Sequence, residues 1–501
     1  MAGQSPTTLR NSNPWENNAR FKPLEFSVLM KSAEWEDRQE KWERLARNDK
    51  WDEVTKEFRK LVQPVLDEIR LRKPVSDLRS LNRDPLPKSA GPTSETINWV
   101  DLVLSGGGVL GYAHVGYVLA LEDAGLRFRA IGGASAGAVA AFIMGAVRKS
   151  PDAPVAEDLL RLMVEMPTST FDDGGKAERG LLSAITSVLE KNISTLDFFS
   201  LPLFPLAVIS ALKNSGLHPG KIFEDWLKNL METYGAGTLS DLKAKCDLSK
   251  INWLKAEDGR QPKDVEGLVC CVASDITTST KAVLSWERPV NYDQPPITHT
   301  ELYMANPDGE NPGHCVRASM AVPFFFYPKK FPAQPGEKIP YAGQRAASLP
   351  NTKWKEIGYE DYIPEQVTLV DGGFLSNHPV DLFHVPREKV VWCPTFCVNL
   401  SPPRTARRTG NLIETTAALL STGIQTRDFE FVAKNKEYKL LTASVHTGGI
   451  SALNFDVSPV GKFVLFYNGV VAAYDFLVGG DGSKGPFDWE VYKSMRNSAA
   501  N

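Results

Sequence analysis

The chain has 501 residues, of which 42% are hydrophobic and 23% are charged, and its net charge at pH 7 is −3. These values are typical of an ordinary globular protein, and the lack of a basic bias argues against nucleic acid as a partner. The six cysteines form no CxxC pair, so we interpret them as buried thiols in a reducing compartment.

The N-terminus shows no basic start followed by an apolar core, so we predict no signal peptide. Residues 130–147 carry no charge, but they contain Gly132, Gly133, Ser135 and Gly137, which suit a turn better than the centre of a membrane helix. We therefore predict a cytoplasmic protein without a transmembrane span, for which peripheral association with a membrane is left open.

Residues 1–97 are predicted to be an N-terminal helical extension and linker. Between residues 31 and 72, apolar side chains recur at three- and four-residue steps, with a break near Asn48. This spacing predicts two amphipathic helices, the second ended or kinked by Pro64. Such a stripe usually packs on the protein's own core, and the alternative is a surface for a protein partner or for self-association. The proline-rich residues 73–97 predict the linker.

Strands alternate with helices in the rest of the chain, which implies an α/β layered fold with a mainly parallel sheet. We expect a core over residues 98–385, and residues 386–501 to complete the same α/β domain. Strands are predicted near 390–400 and 439–445, and a closing helix over 463–477.

Residues 196–212 are unusually apolar, but Pro202 and Pro205 argue against one long helix. Packing in the core is the default interpretation of such a run. The alternative is an apolar wall or lid that meets lipid acyl chains.

Two glycine motifs stand at consecutive predicted strand ends. The first is Gly106-Gly107-Gly108-x-x-Gly111, and the second is Gly133-x-Ser135-x-Gly137. A G-x-S-x-G turn places a serine at a sharp strand-to-helix corner, where its hydroxyl is exposed for nucleophilic attack. Glycine loops let backbone N–H groups approach a ligand closely. Together the motifs predict acyl transfer.

The first motif also fits a dinucleotide-binding loop, which requires an acidic residue about 20 positions later at the end of the next strand. That strand here ends in Gly133-Ala134-Ser135, and a serine there does not bind a ribose. A P-loop is excluded because no Gly-Lys-Ser/Thr closes the turn.

A serine nucleophile needs a base, and the developing oxyanion needs donors. Asp371 is our candidate base, because it ends an apolar strand and the flexible pair Gly372-Gly373 follows it. The alternative is a plain Asp-Gly turn. The candidate donors are the backbone N–H groups of Gly107 and Gly108, with Gly106 shaping the turn.

A histidine base is the competing hypothesis. Ser135, Asp371 and His446 would follow the chain order of α/β-hydrolases, although only its position at a predicted strand end distinguishes His446. His114 is expected to pack in the core, and His378 and His384, which closely follow Asp371, are expected either to pack or to face solvent.

With these motifs in order, the sequence resembles the patatin-like phospholipase family over roughly residues 98–385. Supporting stretches are Val272–Thr277 and Ala318–Pro323. The resemblance implies a patatin-like three-layer α/β/α fold and a Ser–Asp dyad, in which Ser135 is the nucleophile and Asp371 the base. It implies hydrolysis of phospholipids or related acyl lipids through an acyl-enzyme, with no metal and no cofactor. A membrane-binding scaffold with a silent site is the non-enzymatic alternative.

One position departs from the family pattern. The family often has Lys or Arg just before the last glycine of its loop, where this chain has Leu110. Without that cation, a preference for phosphate headgroups is not implied, and neutral acyl lipids remain open as substrates.

Overall fold

The structure is a computed structural model. It describes residues 21–72, 98–171, 173, 215–248, 267–287, 299–333, 354, 364–384, 394–400, 410, 422, 435–452, 454–479, 486–488, 491–492 and 494–495. The predictions for residues 73–97 and 196–212 therefore lie outside the described residues.

The described strands are β1 Asn98–Leu104, β2 Leu126–Ala134, β3 Gly216–His218, β4 Leu268–Asp275, β5 Thr280–Leu284, β6 Phe324–Phe326, β7 Lys329–Pro332, β8 Gln366–Asp371, β9 Thr395–Asn399 and β10 Thr442–Ser444. The described helices are α1 Phe26–Leu29, α2 Ala33–Arg47, α3 Trp51–Arg72, α4 Tyr112–Asp123, α5 Ala136–Val147, α6 Ala156–Glu165, α7 Lys221–Thr233, α8 Leu239–Lys245, α9 His299–Tyr303, α10 Pro312–Ser319, α11 Gly373–Ser376, α12 Lys436–Leu441 and α13 Pro459–Leu477.

The central sheet has the strand order β10-β9-β1-β2-β4-β8-β7, and β5 also pairs with β4. The pairs from β10 through β9, β1 and β2 to β4 are parallel, and β5, β7 and β8 add antiparallel pairs at the other end. The mainly parallel α/β fold predicted from the sequence is thus confirmed, together with helices at the N-terminal side. Strands β9 and β10 belong to this same sheet.

The pairing around β4 brings two strand ends together. Strand β5 pairs with β4 along Cys271–Asp275, so it fills one edge of β4 there. Because β2 pairs with β4 up to Val272 and β8 pairs with it from Ala273 onward, both of these strands lie on the other edge. Strand β2 runs parallel to β4 and β8 antiparallel, so their carboxyl ends meet at successive residues of β4.

Helices α2 and α3 pack on the long helix α13. Trp35 stacks on Phe463 of α13 with ring centroids 5.4 Å apart, and Trp42 and Phe58 contact the same ring at 5.6 and 5.2 Å. All three side chains are buried. The apolar stripe of residues 31–72 is therefore covered by the C-terminal helix of its own chain, as amphipathic helices in globular domains usually are.

Two local predictions differ from the structure. Helix α3 does not end at Pro64, one of the two outcomes predicted there, but continues to Arg72, because Pro64 lies on the exposed face, where water can satisfy the carbonyl that loses its partner. The strand predicted over 439–445 is wrong in its first half, where helix α12 precedes the short strand β10. Tyr438 and Leu441, three residues apart, are both buried, which is a helical spacing.

Helix α13 is the one helix in the described part that is long and apolar enough to cross a membrane, and 89% of its most apolar window is buried inside the fold. Residues 130–147, considered above as a membrane span, form instead the end of β2 and helix α5, which are buried throughout.

Candidate active site

The corner after β2 has a strained backbone. Ser135 takes φ 50° and ψ −119°, a conformation that non-glycine residues rarely adopt, and helix α5 begins at the next residue. Its side chain lies at the N-terminus of that helix, where the helix dipole favours negative charge. The corner is tight, because a Cβ on Gly137 would lie 2.0 Å from the carbonyl oxygen of Leu104. The G-x-S-x-G motif thus forms the predicted strand-to-helix corner.

The glycine loop follows β1 and lies beside this corner. A Cβ on Gly106 would meet the Cβ of Ser135 at 3.2 Å, and the Gly106 N–H donates to the carbonyl of Asn377 at 2.9 Å. Gly108 has φ +55°, and a Cβ there would lie 2.1 Å from the carbonyl oxygen of Ala452. Within the described part of the chain, the N–H groups of Gly107 and Gly108 have no hydrogen-bond acceptor. These two donors are therefore free to bind a ligand.

Asp371 ends β8 at the meeting point of the two strands. Ala134 pairs with Val272 and Asp371 with Ala273, so Ser135 and Asp371 follow from opposite directions at the same edge of β4. Strand register therefore brings Ser135 and Asp371, which are 236 positions apart in the sequence, to neighbouring places, as the predicted serine–aspartate pair requires.

Asp371 is buried, with 7% of the residue exposed. Its Oδ1 accepts the Gly373 N–H at 2.7 Å, and no donor among the described residues meets hydrogen-bond geometry with Oδ2. Burial raises the pKa of Asp371 to about 6, and the adjacent Ser135 hydroxyl and the Gly373 N–H oppose that rise. A buried carboxylate with one unpaired oxygen and a raised pKa can accept a proton near neutral pH.

The remaining motif glycines allow close backbone approaches at these corners. An added Cβ would meet atoms within 3.1 Å at each of them: Gly111 against Ala136, Gly133 against Gly137, Gly372 against Val272 and Gly373 against Asp371.

An apolar cavity of about 30 Å³ opens beside the glycine loop and the serine corner. Its lining includes Gly108 and Ala136 together with Met163, Met166 and Met320. This volume holds only one or two water molecules. Methionine side chains are flexible and repack easily, so the walls are suited to yield to an apolar chain.

Both ring nitrogens of His446 have partners away from the serine. Nε2 lies 3.2 Å from a carboxylate oxygen of Glu25, Nδ1 accepts the Gly448 N–H at 3.1 Å, and the side chain is 47% exposed. His114 is buried as expected, and of the two outcomes left open for His378 and His384 the structure shows burial. Burial lowers the pKa of His114 and of His378 to about 4. The His114 Nε2 lies 2.8 Å from the carbonyl oxygen of Ser105, next to the glycine loop.

No role is predicted from the sequence for two residues at the site, Ser319 and Asn377. Ser319, the last residue of α10, accepts the Ser135 N–H on its Oγ at 2.9 Å. Asn377 accepts the Gly106 N–H on its main-chain carbonyl oxygen. Ser319 lies in the small-residue stretch before Pro323 that supported the family resemblance, whereas Asn377 belongs to no motif found in the sequence.

The described residues contain no group of three or more His, Cys, Asp or Glu side chains placed to hold a metal ion. The five cysteines within this part are free and buried, which matches their interpretation as interior thiols.

Three comparisons relate this chain to known proteins. The chain is 26% identical over 371 residues to the Uncharacterized protein YqhO of Bacillus subtilis (strain 168), covering 73% of this chain and 94% of that protein. Among solved structures it is similar to VipD from Legionella pneumophila at 16% identity, with a TM-score of 0.35, over 80% of this chain and 70% of that one. The sequence model of the family described as patatin-like phospholipase matches residues 102–384. Because this match covers more than half of the residues, the chain belongs to the patatin-like phospholipase family.

Proposed function

We propose that this protein hydrolyses fatty-acyl esters of lipids through a serine acyl-enzyme, with Ser135 as nucleophile and Asp371 as its base. The observation that carries the proposal is the meeting of β2 and β8 on one edge of β4, which sets a strained serine beside a buried carboxylate. Membership of the family supports an activity on lipid esters.

In the proposed first step, the Ser135 Oγ attacks the ester carbonyl carbon while its proton moves to the unpaired Oδ2 of Asp371. Collapse of the tetrahedral intermediate breaks the ester C–O bond, and the proton passes from Asp371 to the leaving alkoxide. Water then attacks the acyl-enzyme with Asp371 again taking the proton, and the fatty acid leaves as the proton returns to Ser135.

The developing oxyanion needs donors that are not already used. The N–H groups of Gly107 and Gly108 meet this condition among the described residues, so we assign them to the oxyanion hole. The N–H of Gly106 is bonded to Asn377, which fits its expected role of shaping the turn. The N-terminus of α5 adds a favourable field at the same place.

The substrate class follows from the apolar cavity beside these donors. An acyl chain bound there would place its ester carbonyl between Gly108 and Ala136, with the methionine walls moving apart to receive it. Leu110 is buried and brings no cation to the glycine loop, so neutral acyl lipids are candidates together with phospholipids. We place the enzyme in the cytoplasm, acting on lipids at a membrane surface.

The test is lipid analysis of a membrane extract incubated with wild type, Ser135→Ala and Ser285→Ala. Ser285 is a matched control, because it is also buried and its Oγ donates to the β4 carbonyl of Val269 at 2.7 Å. Release of fatty acid by wild type and Ser285→Ala, and not by Ser135→Ala, supports the proposal, and the lipids consumed identify the headgroup. Fatty-acid release that survives in Ser135→Ala would refute it. Liposome binding without turnover would favour the scaffold hypothesis.

A further inference from the structure

We infer that Ser319 is a positioning residue for two corners of the backbone, the nucleophile corner at Ser135 and the acid corner at Asp371-Gly372. Its side-chain hydroxyl holds the nucleophile corner in its strained conformation, and its main-chain carbonyl holds the acid corner beside it. This inference rests on the proposed function of Ser135 and Asp371. It starts from a residue with no role in the proposed chemical steps that is bonded to both corners, to one through its side chain and to the other through its backbone.

The hydroxyl of Ser319 stands between β2 and β4. Its Oγ accepts the N–H of Ser135 at 2.9 Å and donates to the carbonyl of Val272 at 2.6 Å. Ala134 pairs with Val272, so a direct bond between the Ser135 N–H and the Val272 carbonyl would continue the β2–β4 ladder. In place of that single bond, the Ser319 hydroxyl connects the two groups through two hydrogen bonds, which we call the relay. The relay lies at the residue where β2 ends and α5 begins.

Through the relay, the chain leaves the sheet at the end of β2 while the Ser135 N–H keeps a hydrogen-bond acceptor. A positive φ at Ser135 costs free energy and persists only when its surroundings enforce it. An unbonded N–H in a buried position is also costly, so the bond to Ser319 favours the bent conformation over alternatives that turn this N–H elsewhere. Ser319 is itself fully buried, and water cannot replace its hydroxyl.

The main chain of the same segment holds the acid corner. The carbonyl of Ser319 accepts the Gly372 N–H at 3.1 Å, and the carbonyl of Ala321 accepts the Asp371 N–H at 2.8 Å. The end of α10 therefore bonds both to the residue that carries the nucleophile and to the turn that carries the base. Its side chain fixes one corner and its backbone fixes the other, so removal of the hydroxyl is expected to loosen only the nucleophile.

The experiment compares Ser319→Ala with Ser285→Ala in the full chain, measuring kcat, KM, thermal stability and the rate at which a fluorophosphonate labels Ser135. Both variants remove a buried hydroxyl that donates to a β4 carbonyl, at 2.6 Å from Val272 and 2.7 Å from Val269. Only Ser319 also contacts the Ser135 backbone. A purely structural role would lower stability in both and leave both kcat values alike.

We expect Ser319→Ala to lower kcat and the labelling rate about ten- to a hundredfold, since a displacement of the nucleophile by about 1 Å has effects of this size, with KM within about twofold. Ser285→Ala is expected to keep kcat within about twofold. Equal kcat in the two variants, or a loss confined to KM, overturns the inference.

Ser319→Thr keeps a hydroxyl at this position and is expected to restore most of kcat and of the labelling rate. It also serves where Ser319→Ala does not fold. A folded Ser319→Thr with kcat below about a tenth of wild type overturns the inference, because the relay alone would then not position Ser135. If Ser135→Ala keeps wild-type fatty-acid release, the proposed function itself has failed. If it has lost that release while Ser319→Ala matches Ser285→Ala, only the role of Ser319 has failed.

Discussion

The corner that carries Ser135 and the corner that carries Asp371 both follow a strand and are both buried, yet they differ in where the unfavourable free energy lies. At Ser135 the backbone is strained, with φ 50°, while its N–H is bonded to Ser319. At Asp371 the next residue, Gly372, has an ordinary helical φ of −61°. There the cost is electrostatic, because one carboxylate oxygen is buried and has no hydrogen-bond partner among the described residues.

The difference indicates that the proposed nucleophile and its proposed base are prepared in separate ways. Strain at the first corner fixes the direction of a neutral hydroxyl, and burial at the second raises the pKa of the group proposed to receive its proton. A substitution that removes the backbone strain at Ser135 should leave the buried charge at Asp371 in place, and the reverse. Experiments can therefore measure the two effects separately.

The largest expected effect is on the rate. Asp371→Asn keeps the shape of the side chain but removes the proton acceptor, and we expect kcat/KM to fall by about 10³-fold or more, as for other groups that act together with a nucleophile. Asp475→Asn is the matched control, since burial also raises the pKa of Asp475 to about 6 in the last turn of α13. Steady-state hydrolysis of one acyl ester compares the two. Wild-type rates in Asp371→Asn, with loss in His446→Ala, would favour the histidine hypothesis.

The pH dependence of kcat/KM directly tests the corner at Asp371, where the cost is electrostatic. Because the carboxylate is the active form and its pKa is about 6, kcat/KM should be constant above that pH and fall about tenfold per pH unit below it. The profile is measured on a neutral ester, so that the substrate does not titrate. Asp475→Asn should keep the same midpoint. A midpoint near 4 would show that burial does not tune this group.

Stability should move in the opposite direction from activity. The folded-state pKa of Asp371 is raised above its unfolded value, so its contribution to stability is present at low pH and is lost as pH rises through about 6. We expect Asp371→Asn to be more stable than wild type at pH 8 by about 2 kcal/mol, with this gain shrinking toward pH 4. Urea denaturation at both pH values measures it. A variant less stable than wild type at pH 8 would contradict the assignment of the cost to charge.

The strained corner has the smallest expected effect. Ser135→Gly and Ser135→Ala both lack the nucleophile, but glycine adopts a positive φ without steric cost. We expect Ser135→Gly to be the more stable of the two by about 1 kcal/mol, measured by thermal and urea unfolding. Equal stability would place the backbone strain elsewhere.

Much of the site could be predicted from the chain because its motifs encode backbone geometry. Glycines spaced as in Gly106–Gly111 and around Ser135 permit conformations that few other residues adopt, and such turns mark strand ends. The mainly parallel sheet follows from the alternation of strands and helices. These features are local in sequence, so a single chain reveals them.

What the sequence did not reveal depends on tertiary contacts. Nothing near Asp371 indicates that β8 is antiparallel to β4 and meets β2 on one edge, because register is set by pairing across the whole sheet. The bond from Ser135 to Ser319 joins residues 184 positions apart. The helix over Lys436–Leu441 was missed because a short apolar run fits either a strand or a buried helix.

The place of β1 in the sheet has a practical consequence for anyone dividing this protein. Strand β1 lies between β2 and β9, and β9 follows the last residue matched by the family model. A fragment ending at residue 384 would expose the backbone donors and acceptors of β1 along one open side. Bare strands of this kind recruit other chains, so such a fragment is expected to aggregate even with every motif residue intact.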